Sequence, residues 1–235
     1  MTQASSKKVA VVTGGLRGIG AAIREALTQD GFVATSIDLS AEPGDALQYA
    51  CDISDVAALF AVLERIEQDH GLVGVLVNNA GILSNKSLFE LTPDVFDRTL
   101  AVNLRAMMFA SQWVARRLTE EDEAGAIVNV ASSAGRFGSS WMDYGASKGG
   151  AISLTMSLAK VLAEKKIRVN AVAPGQVVTD MHRAMSPAQQ AANAARIGMK
   201  RPADPAEIAK VVAFLAGEDA SFMTGSIIDV NGGRF

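Results

Sequence analysis

Short, nearly continuous apolar runs alternate along this chain with longer segments of helical periodicity. A parallel sheet requires this alternation, because each strand must return to the same edge of the sheet through a crossover connection, usually a helix. Runs without polar alternation indicate strands that are buried on both faces. The pattern therefore predicts an α/β fold in which one doubly wound parallel sheet of about seven strands carries helices on both faces.

Capping and turn signals set the expected boundaries of these elements. Ser54 is expected to cap one helix, and Thr92, followed by Pro93, is expected to cap a long helix that runs to about Leu118. The connection over 39–48 is too short for a full crossover helix. The predicted strands are 9–13, 32–37, 49–51, 73–77, 126–130, 167–173 and 227–230, and the predicted helices are 18–29, 54–68, 92–118, 142–164 and 205–215.

Length, charge and cysteine content argue against several classes of protein. A length of 235 residues suits a single domain over 1–235. The formal net charge is −3, and the scattered Lys and Arg residues argue against a nucleic-acid surface. A single cysteine, with no signal-type or membrane-spanning apolar run, leads us to expect a soluble cytoplasmic protein. His70 and His182 lack the spacing of metal ligands, so no metal site is expected.

The first predicted strand runs into a glycine-rich turn, Thr13-Gly14-Gly15-Leu16-Arg17-Gly18-Ile19-Gly20, which opens a helix. Glycine allows positive φ and close approach of the backbone to a phosphate, and the free N–H groups at the start of a helix attract anions. A tight loop is the other interpretation. The position between a buried strand and a helix favours phosphate binding.

Tyr144 and Lys148 lie four residues apart and therefore share one face of the helix predicted over 142–164. The pKa of a free tyrosine is about 10, and a neighbouring cation lowers it by stabilising the phenolate. The pair could therefore move a proton to or from an alcohol or carbonyl oxygen. On spacing alone, an ordinary exposed pair is the commoner interpretation.

Several ordered motifs together resemble the short-chain dehydrogenase/reductase family. Glycines at 14, 18 and 20 are similar to its TGxxxGxG signature rather than to G-x-G-x-x-G. The resemblance extends over nearly all of the chain and implies a Rossmann-type fold and an NAD(P)-dependent oxidoreductase. The other segments that carry it are Asn78-Asn79-Ala80-Gly81, Val102-Asn103-Leu104, 128–133, Tyr144 to Lys148, 168–175 and 201–225.

The resemblance implies four catalytic residues. Tyr144 would be the general acid/base, and Lys148 the cation that lowers its pKa and binds the nicotinamide ribose. Ser132 would hydrogen-bond the substrate oxygen, and Asn103 would hold a water that links Lys148 to solvent. Taken singly, Ser132 could be a turn serine and Asn103 a buried structural amide. Together we expect them at the carboxyl edge of the sheet, where open α/β sheets bind ligands.

Cofactor preference depends on Asp38, at the end of the second strand. A carboxylate there accepts hydrogen bonds from the adenosine ribose of NAD and repels the 2′-phosphate of NADP. Arg17 is a conflicting signal, because a basic residue before Gly18 often accompanies NADP in the family. No second basic residue follows Asp38 directly, so NAD is predicted rather than NADP. The expected cofactor-binding residues are Gly14, Arg17, Gly18, Ile19, Gly20, Asp38, Asp52, Ile53, Asn79, Ala80, Gly81, Tyr144, Lys148, Pro174, Gly175, Val177 and Thr179.

The segment 180–199 corresponds to the substrate lid of the family. It is rich in alanine and contains methionines, which make flexible apolar contacts. His182 could be solvated or could contact substrate, and Arg183 could pair with a substrate carboxylate or phosphate. The candidate substrate-contacting residues are Ser84, Ala134, Trp141, Gln176, His182 and Arg183.

These features predict an NAD(H)-dependent oxidoreductase that interconverts a secondary alcohol and a ketone. An NADPH-dependent 3-oxoacyl thioester reductase, acting on acyl carrier protein or coenzyme A esters, is the alternative that Asp38 opposes. A regulatory nucleotide-binding protein without turnover would have no need of a general base. The expected partner is a small alcohol or ketone, with no nucleic acid and no membrane. By resemblance, the protein is a homo-oligomer, a tetramer or dimer.

Overall fold

A single parallel sheet forms the centre of the computed structural model, which describes residues 8–42, 44–183 and 185–233. Its seven strands lie in the order β3-β2-β1-β4-β5-β6-β7, and each pair of neighbours is parallel. The Rossmann-type fold is thus confirmed, and each predicted strand lies within one residue of the observed boundaries. The strands are β1 (Val9–Thr13), β2 (Val33–Asp38), β3 (Gln48–Ala50), β4 (Val73–Asn78), β5 (Gly125–Val130), β6 (Ile167–Pro174) and β7 (Ile227–Val230).

Helices cover both faces of this sheet. One buried core lies between the sheet and α2, α4 and α6, and the other lies between the sheet and α1 and α9. Burial on both faces explains why the central strands are almost wholly apolar. The helices are α1 (Gly18–Gln29), α2 (Val56–His70), α3 (Pro93–Leu100), α4 (Ala106–Glu120), α5 (Ser133–Phe137), α6 (Met142–Leu162), α7 (Asp180–Arg183), α8 (Pro187–Ala195) and α9 (Pro205–Ala216).

The start of α2 differs from the prediction. Asp55, not Ser54, is the N-cap, because its carboxylate accepts hydrogen bonds from the backbone N–H groups of Ala57 and Ala58 at 3.0 and 3.1 Å. Ser54 instead donates its hydroxyl to Asp52 at 2.8 Å. Both residues are common caps, so the sequence could not decide between them.

The long helix predicted over 92–118 is two helices joined by a π-helical turn. Thr92 caps α3, as predicted, but the turn over Ala101–Arg105 separates α3 from α4. A π turn holds one more residue than an α turn and often occurs at a functional site. Here it carries Asn103.

The segment 180–199, predicted as a lid, contains α7 and α8. Ser186 and Gln189 form a capping box at the start of α8, and Gln190 donates to the carbonyl oxygens of His182 and Met185 at 3.2 and 3.0 Å. Ala184 lies outside the described residues. Within the described ranges, the helices are too short or too polar to cross a membrane.

Candidate active site

Asn103 is fully buried in the π-helical turn. Its amide accepts from the N–H of Ile82 at 2.8 Å and donates to the carbonyl oxygen of the same residue at 2.9 Å. It also donates to the Ser147 hydroxyl on α6 at 3.1 Å. A β-carbon on Gly81 would lie 3.4 Å from Asn103 Oδ1 and 3.5 Å from Lys148 Nζ. The amide and the ammonium group therefore flank the same position after β4.

Lys148 is a buried cation at the centre of this region. It is 2% exposed, and its ammonium group donates to the carbonyl oxygen of Val130, the last residue of β5, at 2.7 Å. Burial lowers the pKa of Lys148 to about 8. Desolvation disfavours the charged form of an amine, which accounts for this direction.

Tyr144 lies in the first turn of α6, with Lys148 Nζ 5.8 Å from its ring centre. Burial raises the pKa of Tyr144, and a hydrogen bond from Ser132 lowers it by less. The phenol thus has a pKa above its ordinary value, opposite to the predicted direction. The physical reason is that desolvation outweighs the polar groups around the ring.

Ser132 lies where β5 ends and α5 begins. It is the N-cap of α5 and accepts a hydrogen bond from the N–H of Ala134 at 3.1 Å, so its hydroxyl hydrogen can point elsewhere. The contact with Tyr144 shows that the serine and tyrosine side chains converge, as the sequence predicted. Ser132, Tyr144, Lys148 and Asn103 therefore lie close together, in successive pairs, at the carboxyl edge of the sheet.

The glycine-rich turn packs against the segment after β4. Asn79 donates to the carbonyl oxygens of Thr13 and Gly14, each at 2.9 Å. Gly14 and Gly18 have positive φ values of 65° and 54°, and a β-carbon on Gly20 would lie 2.0 Å from the Gly14 carbonyl oxygen. Only glycine fits this turn without displacing the backbone.

The start of α1 has free capacity for an anion. Its N-cap, Arg17, makes no side-chain cap hydrogen bond, and the first turn holds no acidic residue. Asp38, at the end of β2, accepts from the N–H of Leu16 at 3.4 Å and from the N–H of Ser40 at 3.0 Å. The Asp38 carboxylate therefore borders the glycine-rich turn, while Arg17 is exposed.

Asp52, predicted to bind adenine, is engaged by protein groups. Its Oδ1 accepts from the N–H and hydroxyl of Ser54, and its Oδ2 accepts from Arg98 at 3.0 Å. Ile53 beside it is 8% exposed. Arg98 was not among the residues predicted for the cofactor site.

The segment after β6 reaches the glycine-rich turn. Val177 bridges to Ala203, and a β-carbon on Gly18 would lie 3.5 Å from Thr179 Cγ2. At Gly175, a β-carbon would lie 2.9 Å from Asn231 Cα, so this turn also needs a glycine. Pro174 and Gly175 thus lead the chain to the N-terminus of α1, as the predicted cofactor site requires.

Comparison with known proteins identifies the family. The chain matches the family model described as enoyl-(acyl carrier protein) reductase over residues 14–234. The 3-oxoacyl-[acyl-carrier-protein] reductase of Vibrio harveyi is 36% identical over 240 residues, covering 97% of each chain. Proteins of the same name are 36% identical in Mycobacterium tuberculosis, covering 95% of this chain and 91% of that protein, and 34% in Thermotoga maritima, covering 96% and 97%. The chain belongs to the short-chain dehydrogenase/reductase family.

As a short-chain dehydrogenase/reductase, the chain belongs to a family of NAD(P)-dependent oxidoreductases. Its residues fit a dinucleotide: Gly14 and Gly20 leave no room for a side chain, the N-cap of α1 makes no side-chain hydrogen bond, and a carboxylate lies at the end of β2. Within the described ranges, His, Cys, Asp and Glu residues form no cluster of three or more that could hold a metal ion.

The candidate substrate residues of this short-chain dehydrogenase/reductase fall into two groups. Ser84, Ala134 and Trp141 lie on segments that border α6. The backbone N–H of Trp141 donates to the Ser139 hydroxyl at 3.0 Å. Arg183 pairs with Asp180 at 3.3 Å on the surface. Gln176 Oε1 and both ring nitrogens of His182 are buried without a hydrogen-bond partner in the described structure.

Sequence reasoning missed several residues that pack around the candidate catalytic residues of this short-chain dehydrogenase/reductase. A β-carbon on Gly135 would lie 2.4 Å from the Lys148 carbonyl carbon, so this glycine lets α5 rest against α6. Ser147 donates to the Tyr144 carbonyl oxygen at 2.8 Å. Thr99 and Asp143 are also buried beside the site. Ser147 lies inside the Tyr–Lys motif and could have been found there; the others give no local signal.

Proposed function

We propose that this protein is a reductase that converts a 3-oxoacyl thioester to the 3-hydroxyacyl thioester. The main support is its similarity to 3-oxoacyl-[acyl-carrier-protein] reductases along almost the whole chain. The convergence of Ser132, Tyr144 and Lys148 is consistent with carbonyl chemistry. We thus propose the thioester reductase, which the sequence analysis gave as the alternative, rather than a general alcohol dehydrogenase.

Reduction is the direction that we propose, with Tyr144 as the proton donor, and burial raises the pKa of its phenol. A phenol that stays protonated at neutral pH is ready to donate its proton to the oxygen of a carbonyl group that is being reduced. A nicotinamide cofactor, when bound, would supply the hydride for the carbonyl carbon. Ser132 would donate a hydrogen bond to the same oxygen, which stabilises the charge that develops there.

Lys148 and Asn103 would complete the proton path. The Lys148 ammonium group lies beside the Tyr144 ring. Lys148 Nζ and Asn103 Oδ1 also lie near each other, because both would be within 3.5 Å of a β-carbon on Gly81. After Tyr144 gives up its proton, the cation would stabilise the phenolate, and a water held near Asn103 would return a proton. The segment 180–199 would cover the cleft as a lid.

We propose NADH rather than NADPH as the preferred reductant. The support is Asp38, whose carboxylate borders the glycine-rich turn. A 2′-phosphate near it would meet a like charge, which costs roughly 4 kcal/mol at 4 Å and an effective dielectric near 20. Partial exposure of Asp38 reduces that cost but leaves its sign.

A small polar ketone or ketose is the second candidate substrate class. The observation that favours it is the buried, unpartnered Gln176 Oε1 and His182 ring nitrogens, found in the described structure. Buried polar atoms usually have partners, and substrate hydroxyl groups could supply them.

One assay separates these candidates. The purified protein is given NADH or NADPH with acetoacetyl-coenzyme A, a 2-ketoacid, a simple ketone and a ketose, and cofactor oxidation is followed. We expect turnover with NADH and acetoacetyl-coenzyme A. Turnover with the ketose and none with the thioester would reject the thioester proposal in favour of the second candidate, and turnover with NADPH alone would reject the role of Asp38.

We further propose a cytoplasmic homo-oligomer. The single cysteine, Cys51, is buried and cannot form a disulfide within the chain, which suits a reducing compartment. Leu104 of the π-helical turn, Met108 of α4 and Leu154 of α6 line an open groove that a second copy would cover. Sedimentation as a monomer at micromolar concentration would reject the oligomer, and cell fractionation tests the compartment.

A further inference from the structure

Two hydrogen-bonded contacts connect α6 to α3 and to the π-helical turn that follows it. Asn103 donates to Ser147, as described above. Thr99 donates its hydroxyl to Asp143 Oδ2 at 2.7 Å. Thr99 precedes Asn103 by four residues, and Asp143 precedes Ser147 by four, so the second contact repeats the first about one helical turn away. Tyr144 and Lys148 directly follow Asp143 and Ser147.

The Thr99–Asp143 contact lies in the interior. Thr99 is 1% exposed and Asp143 is 0% exposed. A buried carboxylate is costly unless it is well paired. Thr99 supplies the pairing of Asp143 through Oδ2. Asp143 also lies in the first turn of α6, where a negative charge is favourable to the helix dipole.

The other carboxylate oxygen, Asp143 Oδ1, is buried without a hydrogen-bond partner in the described structure. Burial raises the pKa of the Asp143 carboxyl, but the Thr99 hydroxyl, the Ser84 hydroxyl and the backbone N–H groups of Tyr144 and Asp143 together lower it below its ordinary value. None of these groups meets the geometry of a hydrogen bond to Oδ1. Ser84 belongs to the segment after β4, so Asp143 faces α3, α6 and that segment together.

We propose that Thr99 and Asp143 are positioning residues that fix the first turn of α6, and with it Tyr144, against α3 and the π-helical turn that carries Asn103. This inference rests on the proposed acid/base role of Tyr144. The contact would set the spacing between the two ends of the proton path.

The test compares three isosteric or near-isosteric changes. Thr99→Val removes the donor, Thr99→Ser restores a hydroxyl, and Thr155→Val is the matched control. Thr155 is a fully buried threonine farther along α6 that accepts from Asn129 at 2.9 Å, so its loss also leaves a buried partner unsatisfied. We expect Thr99→Val to lower kcat at least about tenfold without a matching change in the dissociation constant for NADH, because small displacements of reacting groups are costly.

Rescue and coupling complete the kinetic comparison. Thr99→Ser should recover most of kcat, and Thr155→Val should change kcat less than about twofold despite a similar loss of stability. Thr99→Val combined with Asp143→Asn should be no slower than the slower single variant, because both changes break one contact. Equal kcat losses in Thr99→Val and Thr155→Val, or no rescue by serine, would overturn the proposal.

A second measurement needs no turnover. The chain has two tyrosines, so in a Tyr49→Phe background the ultraviolet titration reports Tyr144 alone. Burial holds the pKa of Tyr144 up, and loosening the first turn of α6 should lower it in Thr99→Val but not in Thr155→Val. If no substrate turns over, this titration still tests the positioning role. An unchanged Tyr144 titration in Thr99→Val would overturn that role.

Discussion

The Lys148 ammonium group donates to the carbonyl oxygen of Val130 across 2.7 Å, which attaches α6 to the carboxyl end of β5. Strand β5 also leads to Ser132, so one contact links the backbones that present the serine and the tyrosine. The cation is held by a neutral acceptor in a desolvated place. Its charge is therefore costly to the free protein and available to a partner that develops negative charge.

The first prediction concerns the pH dependence that this burial creates. The pKa of Lys148 is about 8 in the folded protein against 10.5 for free lysine, so between these values the unfolded chain binds more protons. Stability rises with pH in that window. The free energy of unfolding of the wild type, relative to Lys148→Met, should increase by up to about 3 kcal/mol across it.

Urea denaturation from neutral pH to the pKa of free lysine measures this difference, because the other titrating groups are common to both proteins. A difference that is constant with pH would show that Lys148 is not desolvated in solution.

The second prediction is that Tyr144→Phe removes turnover but keeps the cofactor. Losing a general acid should lower kcat by roughly 10²–10⁴-fold. The dissociation constant for NADH, from quenching of protein fluorescence, should change little because the ring remains. Tyr49→Phe is the control, since Tyr49 bonds Asp69 and His70 away from this site. Equal turnover by Tyr144→Phe would contradict the mechanism.

The third prediction concerns cofactor selection. Asp38→Asn should raise the ratio of kcat/KM for NADPH to that for NADH by about tenfold or more, because it removes the charge that would face a 2′-phosphate. Asp45→Asn makes the same change of net charge in the exposed connection before β3 and should leave the ratio unchanged. Equal ratios in the two variants would mean that Asp38 does not select the cofactor.

The fourth prediction uses two glycines on opposite sides of one contact. A β-carbon on Gly135 would lie 2.4 Å from the Lys148 carbonyl carbon, whereas one on Gly149 would lie an ordinary 3.6 Å from the Gly135 carbonyl oxygen. Gly135→Ala should push α5 from α6, lower stability by about 1–3 kcal/mol and reduce kcat. Gly149→Ala, inside α6, should be neutral or stabilising. Thermal unfolding and kcat of both variants provide the check, and tolerance of Gly135→Ala would contradict the close packing.

The strands could be predicted because burial on both faces makes each an uninterrupted apolar run with turn residues at its ends. The π-helical turn could not, since one extra residue in a helix of nearly thirty positions barely disturbs the apolar periodicity. Helix α5 was missed because its five residues are too few to show a period.

The sequence indicated which residues of the candidate site would lie together, but not how deeply they would be buried. Tyr144 and Lys148 are close in sequence, so their pairing was visible, but the burial that reverses the expected shift of the tyrosine pKa depends on the whole fold. Thr99 and Asp143 meet across 44 positions of the chain and carry no motif. Contacts of that kind become visible only when the helices are packed.

The extra residue in the turn over Ala101–Arg105 affects the position of Asn103 more than it affects the packing of the helices on either side. Deleting one residue there would let α3 and α4 join as a regular helix with both buried faces still in place. The amide that holds Ile82 and Ser147 would then be rotated out of position or lost. A variant with that deletion would keep its architecture while losing the contacts of Asn103 with Ile82 and Ser147, so the fold itself does not require the residue that sets the surroundings of Lys148.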